Sequence, residues 1–326
     1  MNYLLLVNPG LEDVALQEVQ ELVKVKGKKG EGHIEFKTDK QISPTTFQSC
    51  RRLLLKVGIA ATIEKIPVAD FPWSDFLKHE STFTIEIENV HGQDARTVLS
   101  KQLAMAILDA LKSKNIVPKL QFRKPERMVV ISFTGKEYVV GLDVTGKELN
   151  AREYRLFPHA GMFRGDAGYF FVRTSRFAPG EKLLVGFLKD GTLAIEAALY
   201  AKGRGKATEI AAFDVSLPNV IAARKNATIA GVRELLDINK YALDDLDVKY
   251  GENAFDRLIF FVTQKDEEKI NELYYQAKYI LKVKGTLLLI GRKSWDVSAG
   301  SAFTLLEKGE LQRGESVYAW WLMGKK

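Results

Sequence analysis

The chain has 326 residues, 46% of them hydrophobic, which is material for two or three ordinary domains with cores of their own. Its 48 Lys and Arg against 41 Asp and Glu leave a formal charge of +7, a balance that favours an anionic partner, with RNA or DNA ahead of an acidic membrane. A single cysteine, Cys50, excludes an intrachain disulfide or a thiolate-rich metal site, and His33, His79, His91 and His159 lack any spacing that sets two on one helix face, so no metal is expected.

The opening MNYLLLVNPG has no basic leader and meets Pro9, Gly10 and Glu12 at once, so it reads as a first strand and not as a signal peptide. No apolar run approaches the roughly 20 residues needed to span a bilayer. Cytoplasmic residence and no membrane partner are the expectations, and Cys50 is expected to be a buried small hydrophobe.

Tyr3 to Val7 is a β-rich run closed by Asn8-Pro9-Gly10, after which Leu11, Val14, Ala15, Val19 and Leu22 recur at helical spacing. Beyond the loop Lys24 to Lys29, HIEFKT alternates as a strand, Thr46 to Val57 is expected as a second helix and Ala60 to Ile66 as a further strand. This β-α-β-α-β order suits a small ferredoxin-like domain over residues 1–70. A second α+β module follows over 71–147. It has a strand in STFTIEIENV, a helix from Ala95 to Lys112 with Val98, Leu99, Leu103, Ala106, Ile107 and Ala110 as its stripe, and a hairpin of RMVVISFTG and KEYVVGLDVTG about Gly135.

Residues 148–180 are patternless, basic and aromatic and read as a linker. From 181 to 326, LLVGF, AAFDV, RLIFFV and GTLLLIG alternate with helical segments, and SVYAWWLM closes the chain as a buried last strand. Such alternation argues an α/β, doubly wound, Rossmann-like sheet with right-handed crossovers.

Four phrases carry a resemblance. They are Asn8-Pro9-Gly10-Leu11-Glu12; Leu149-x-x-Arg152-x-Tyr154-Arg155 after LDVTG; Gly-Thr-x-x-Ile-Glu-Ala-Ala from Gly191 to Ala198; and Asp214 followed by Ala223-Arg224-x-Asn226-Ala227-x-x-Ala230-Gly231. In this order they resemble the THUMP-domain RNA methyltransferases, which methylate guanine N2 in tRNA or ribosomal RNA. The resemblance implies a ferredoxin-like domain, a THUMP domain, a linker and a Rossmann-like methyltransferase domain, and it implies tRNA or another structured RNA as partner. Lys24, Lys26, Lys28 and Lys29 in one loop, and Arg123, Lys124 and Arg127 in another, are the candidate phosphate contacts. Arg152, Tyr154 and Arg155 are candidates either to stack on a base and clamp a phosphate or to latch the linker in place. Glu86, Glu88 and Asn89 stand where the family commonly carries basic residues.

The catalytic motifs depart further. Where the resemblance implies Asp-Pro-x-Cys-Gly-Ser-Gly-Thr, this chain has Val185-Gly186-Phe187-Leu188-Lys189-Asp190-Gly191-Thr192. The acid has become Val185, the middle glycine is Lys189, and the final Gly191-Thr192 pair remains. Asp214 and Asp244 stand near the places where ribose and adenine would lie, so Gly191, Thr192, Asp214 and Asp244 are residual cofactor candidates. The Asn/Asp-Pro-Pro-aromatic motif that would hold the target base is replaced by Phe261-Val262-Thr263-Gln264, leaving Gln264 as the weak catalytic candidate. From this the chain is expected to bind tRNA with an inactive methyltransferase domain and no cofactor, and to present the RNA to a protein partner such as another enzyme. The alternative is an active S-adenosylmethionine-dependent tRNA guanine-N2 methyltransferase with a divergent site.

Overall fold

The computed structural model describes every residue except Gln264, Lys265, Asp296, Gly314 and Glu315, and of Arg313 and Ser316 the backbone only. The chain forms two compact units, Met1–Leu149 and Asn150–Lys326.

In the first unit, β1 (Asn2–Leu6) buries Leu4, Leu5 and Leu6 completely. Asn8-Pro9-Gly10 ends it, with Gly10 at a left-handed φ of 93°, and α1 (Glu12–Val23) follows. Next come β2 (Gly27–Gly30), β3 (His33–Lys37), β4 (Arg52–Ala60), the single turn α2 (Trp73–Phe76), β5 (Thr82–Glu88), α3 (Gln93–Lys112), β6 (Lys119–Leu120), β7 (Arg127–Phe133) and β8 (Tyr138–Asp143). Among the described residues these strands make one eight-stranded sheet in the order β2-β3-β1-β4-β8-β7-β5-β6. β4 pairs antiparallel with β8, so the stretches before and after residue 70 share a continuous sheet. Leu4, Leu6, Leu54, Val130 and Val139 form a core that draws on both.

Two expectations fail here. Thr46–Val57 is not a helix: Arg52 onward is β4, hydrogen-bonded between β1 and β8 with Leu53 and Leu54 fully buried. A short apolar run covered on both faces carries no period of its own, and the ladders on either side decide its conformation. Ala60–Ile66 is not a strand but contains one helical turn at Ile63–Lys65.

The two acids that departed from the resemblance have a structural use. Arg52, almost fully buried, donates Nε to Glu88 (2.9 Å), Nη2 to Glu86 (2.9 Å) and Nη1 to Asp143 (2.8 Å), tying β4, β5 and β8 together. Burial by itself would lower the Arg52 guanidinium pKa; Glu86, Asp143 and Glu88 outweigh it and hold it above the ordinary value. Cys50 is fully buried.

The second unit comprises α4 (Gly165–Thr174), β9 (Leu183–Gly186), α5 (Thr192–Lys202), β10 (Ile210–Asp214), α6 (Leu217–Ile229), β11 (Leu236–Lys240), the short α7 (Leu246–Lys249), β12 (Phe255–Phe261), α8 (Glu267–Ile280), β13 (Leu281–Arg292), β14 (Phe303–Arg313) and β15 (Ser316–Lys325). Its seven strands, among the described residues, run β11-β10-β9-β12-β13-β15-β14. β11 through β13 are parallel, and β15 inserts antiparallel between β13 and β14. Leu322 and Met323 of β15 are fully buried, because an inner strand of a covered sheet is apolar on both faces. α4 lies within 148–180, so part of the patternless stretch is a helix, and its Tyr169, Phe171 and Val172 are fully buried. The strand order reverses between β9 and β12, and the crevice at their carboxyl ends is where a doubly wound sheet places a ligand.

Candidate functional site

The turn leaving β9 takes left-handed backbone at Phe187 (φ 59°), Lys189 (53°) and Gly191 (84°). Only Gly191 is suited to it by composition, and a Cβ there would lie 2.8 Å from the Cβ of Ala223, so α6 packs too close for any other residue. Lys189 holds a conformation that costs an L-residue about 1–2 kcal/mol. Hydrogen bonds within the protein offset that cost. Leu188 N donates to the Phe213 carbonyl (3.2 Å), Lys189 N to Asp214 Oδ2 (3.1 Å), Gly191 N to the Leu188 carbonyl (2.8 Å) and Thr192 N to Asp190 Oδ1 (3.2 Å).

Asp190 is fully buried, and its other oxygen accepts from Arg155 Nη2 (2.8 Å), Arg155 Nε (3.2 Å) and His159 N (3.1 Å). Asn226 on α6 donates to the Asp190 carbonyl (2.9 Å) and exchanges two bonds with the backbone of Phe157. Asp214, 3% exposed, accepts from Ser216 N (2.9 Å) and Asn219 Nδ2 (3.1 Å) on Oδ1, besides Lys189 N on Oδ2. The acid at the end of β10 is thus the peg to which the turn is tied.

The Phe187 ring is buried against Phe213 (centroids 5.7 Å apart) and Phe260 (6.1 Å), with Lys269 Nζ 4.7 Å above it, and Phe213 stacks on Tyr241 at 5.0 Å. An aromatic cluster therefore sits at the carboxyl ends of β9, β10 and β12. Val185 is fully buried and has no polar atom to offer. Asp244 is exposed in a helical turn after β11, where its carbonyl accepts from Gln276. Gln264 lies outside the described residues.

Arg152 and Tyr154 meet on one carboxylate. Arg152 Nε and Nη2 reach the two oxygens of buried Glu196 at 2.8 and 3.0 Å, and the Tyr154 hydroxyl donates to the first at 2.7 Å. Burial first, and then the Glu196 charge, hold the Tyr154 phenol well above its usual pKa. The Arg152 guanidinium is pushed down by burial but held above its ordinary value by Glu196. These three linker residues, with Arg155 on Asp190, have their donors turned into the second unit's own acids. Glu196 is the acid of the Ile-Glu-Ala-Ala phrase, so the two phrases find each other in space.

S-adenosylmethionine, which the resemblance implies, needs an acceptor for its ammonium, free N–H groups for its carboxylate and an acid for its ribose diol. At the turn the first is Val185, the donors of residues 188, 189, 191 and 192 are engaged, and Asp214 accepts three bonds from its own chain. In this arrangement the residues of the crevice do not fit that group.

On the first unit Lys24 and Lys26 are exposed with no acidic partner among the described residues. Lys29 pairs with Asp13 (2.6 Å) and Lys28 lies 3.7 Å from Glu35. Lys26 and Lys28 line a groove of about 380 Å³ together with Lys37 and Lys56, which the sequence reading missed because only the pairing of β2, β3, β1 and β4 brings positions so far apart together. Burial raises the Glu35 carboxyl, but the hydrogen bond and charge of Lys56 outweigh it and leave its pKa below the ordinary value. Arg123, Lys124 and Arg127 are exposed at the other edge of the sheet.

No family model matches the chain. A tRNA (guanine(6)-N2)-methyltransferase of Methanocaldococcus jannaschii is 25% identical over 214 residues, 61% of this chain and 56% of that protein. The ribosomal RNA large subunit methyltransferase K/L of Photobacterium profundum is 23% identical over 214 residues, 61% of this chain and 29% of that protein. The chain thus spans about half the length of the first relative and under a third of the second. Among solved structures, TrmN from Thermus thermophilus superposes with a TM-score of 0.76 at 19% identity, covering 100% of both chains. The fold is a methyltransferase fold. A second structure, SMU.472 solved with SAH, gives 0.70 at 17% identity over 98% of this chain and 97% of that one.

Proposed function

We propose that this chain acts on RNA, with tRNA as its class of substrate, on the plan of the guanine-N2 RNA methyltransferases. The observation that carries this is that a full-length structural likeness to TrmN coincides with sequence similarity to a tRNA and a ribosomal RNA methyltransferase. In this reading residues 1–70 and 71–147 serve as the ferredoxin-like and THUMP parts, and Lys24, Lys26, Lys28, Lys29, Arg123, Lys124 and Arg127 bring phosphate-binding charge to two edges of the first unit. Cytoplasmic residence belongs to the same proposal.

Methyl transfer from S-adenosylmethionine to guanine N2 is the chemistry the relatives' names favour. It requires the turn at Phe187–Gly191 to open, so that Asp190 and Asp214 release the N–H groups they now hold. A second reading, in which the unit holds RNA without the cofactor and serves a protein partner, is favoured by those same occupied N–H groups and by Val185. One experiment separates them: the chain is incubated with labelled S-adenosylmethionine and bulk tRNA, and cofactor binding is followed by calorimetry. Label in guanine, lost in Asp214→Ala, supports the first reading; RNA binding without cofactor heat supports the second. Absence of RNA binding overturns both.

A further inference from the structure

Phe122 is 83% exposed, the most solvent-accessible large apolar side chain among the described residues. Its loop is nevertheless pinned. Gln121 N donates to the Phe83 carbonyl (2.9 Å), Glu126 N to the Thr82 carbonyl (3.1 Å), and the Gln121 side-chain amide to the carbonyls of Arg123 (2.6 Å) and Lys124 (3.2 Å). Lys124 turns the chain with a φ of 49°. An aromatic ring is therefore held outward in water by a structured loop, with Arg123 and Lys124 directly following it.

The ring borders a groove of about 730 Å³ between α3 and β5. Ile85, Ile87, Met105, Leu108, Leu120 and Met128 give it apolar walls. Met105 and Leu120 are themselves 55% and 47% exposed. Cations stand around it: Lys101 on α3, and Arg123, Lys124 and Arg127 on the loop side, with no acidic partner for any of the four among the described residues. Glu86, the one acid in the lining, is committed to Arg52. An extended peptide is a poor occupant, because the outer edge of β5 is closed by Gln121 N on the Phe83 carbonyl and by Arg96 Nη2 on the Ile87 carbonyl (2.6 Å). Only Thr84 to Glu86 lie between, too few for a strand to add.

An apolar slot of this size, an exposed ring and a cationic rim match the chemistry of unpaired nucleotides, whose bases stack on an aromatic while phosphates follow the charge. We propose that Phe122 and the α3–β5 groove bind an unpaired stretch of RNA by base stacking. This rests on the reading of RNA as substrate and deepens it, since the lysines account for phosphate contacts only and do not distinguish paired from unpaired strands.

The test measures binding of the full chain to tRNA, to a short single-stranded oligonucleotide and to a blunt RNA duplex, across a salt series. Phe122→Ala weakens tRNA and oligonucleotide roughly tenfold, with the salt slope unchanged and the duplex affinity intact. Phe122→Tyr restores binding and Phe122→Leu does not. In Phe122→Trp, the added fluorescence is quenched by the oligonucleotide and not by the duplex, a readout that a merely structural role would not move. If the wild-type chain binds tRNA but Phe122→Ala binds as tightly, or the added tryptophan ignores the oligonucleotide, the stacking site is wrong while the RNA reading stands. If the wild-type chain binds no RNA, the parent reading fails.

Discussion

Arg152 and Glu196 form a two-pronged ion pair of 2.8 and 3.0 Å in which the carboxylate is fully buried. A buried pair of this kind stabilises little relative to a well-packed apolar pair, but removing one partner strands the other charge away from water. Glu196→Ala therefore costs about 3–5 kcal/mol, and Arg152→Ala a similar amount. The double variant costs less than the sum, because neither charge is then orphaned. Chemical denaturation of the four proteins measures it; additive losses would deny the coupling.

Tyr154 gives a pH dependence of defined sign. Burial and Glu196 raise the pKa of its phenol in the folded state, so the fold binds a proton that the unfolded chain releases at the ordinary tyrosine value near 10. The stabilisation is fully present below that unfolded value and falls away as pH rises above it. Native Tyr154 stays protonated until the alkaline transition, which Tyr154→Phe moves to higher pH at the cost of one hydrogen bond. Phenolate absorbance recorded alongside circular dichroism tests this.

Lys189→Gly is expected to leave the fold intact or stabilise it by up to about 1 kcal/mol, since the φ of 53° is strained for lysine and free for glycine. Its N–H bond to Asp214 is a backbone bond and survives the change. A glycine placed in α5 or α6 would instead cost about 1 kcal/mol. Thermal melts compare the two. A clear loss at 189 would mean that the lysine side chain itself holds the turn.

Asp214→Asn turns one acceptor oxygen into a donor facing groups that donate. Either orientation sets its amide against Lys189 N on one side, or against Ser216 N and Asn219 on the other. A loss of about 1–3 kcal/mol follows from the unsatisfied donors. Hydrogen exchange at Lys189 and Ser216 rises before global unfolding. Unchanged exchange at both amides would show that the peg is not what fixes the turn.

Lys24 and Lys26 make no ion pair among the described residues, whereas Lys29 is held by Asp13. If the first two meet phosphate, each substitution by Gln lowers the slope of log K against log salt by about 0.7–0.9. Lys29→Gln has a smaller effect, because it also frees an acid. Filter binding to tRNA from low to moderate salt reads the three slopes.

The sequence by itself determined the elements whose period was strong: β1, α1, β5, α3, the β7–β8 hairpin, and the alternation from β9 to β13 that makes the second unit a doubly wound sheet. It also showed which side chains had replaced the turn after β9, because identity at a tight turn is a local matter. β4 was misread as a helix because three consecutive leucines fit either period, and only the ladders to β1 and β8 choose. Tertiary structure alone decided that Glu86 and Glu88 answer Arg52, that Lys37 and Lys56 join Lys26 and Lys28, and that the turn's N–H groups are answered by Asp190 and Asp214. Each joins residues far apart in the chain. A carboxylate's role is set by which donors surround it, and donors brought together by strand pairing and helix packing leave no spacing in the sequence to read.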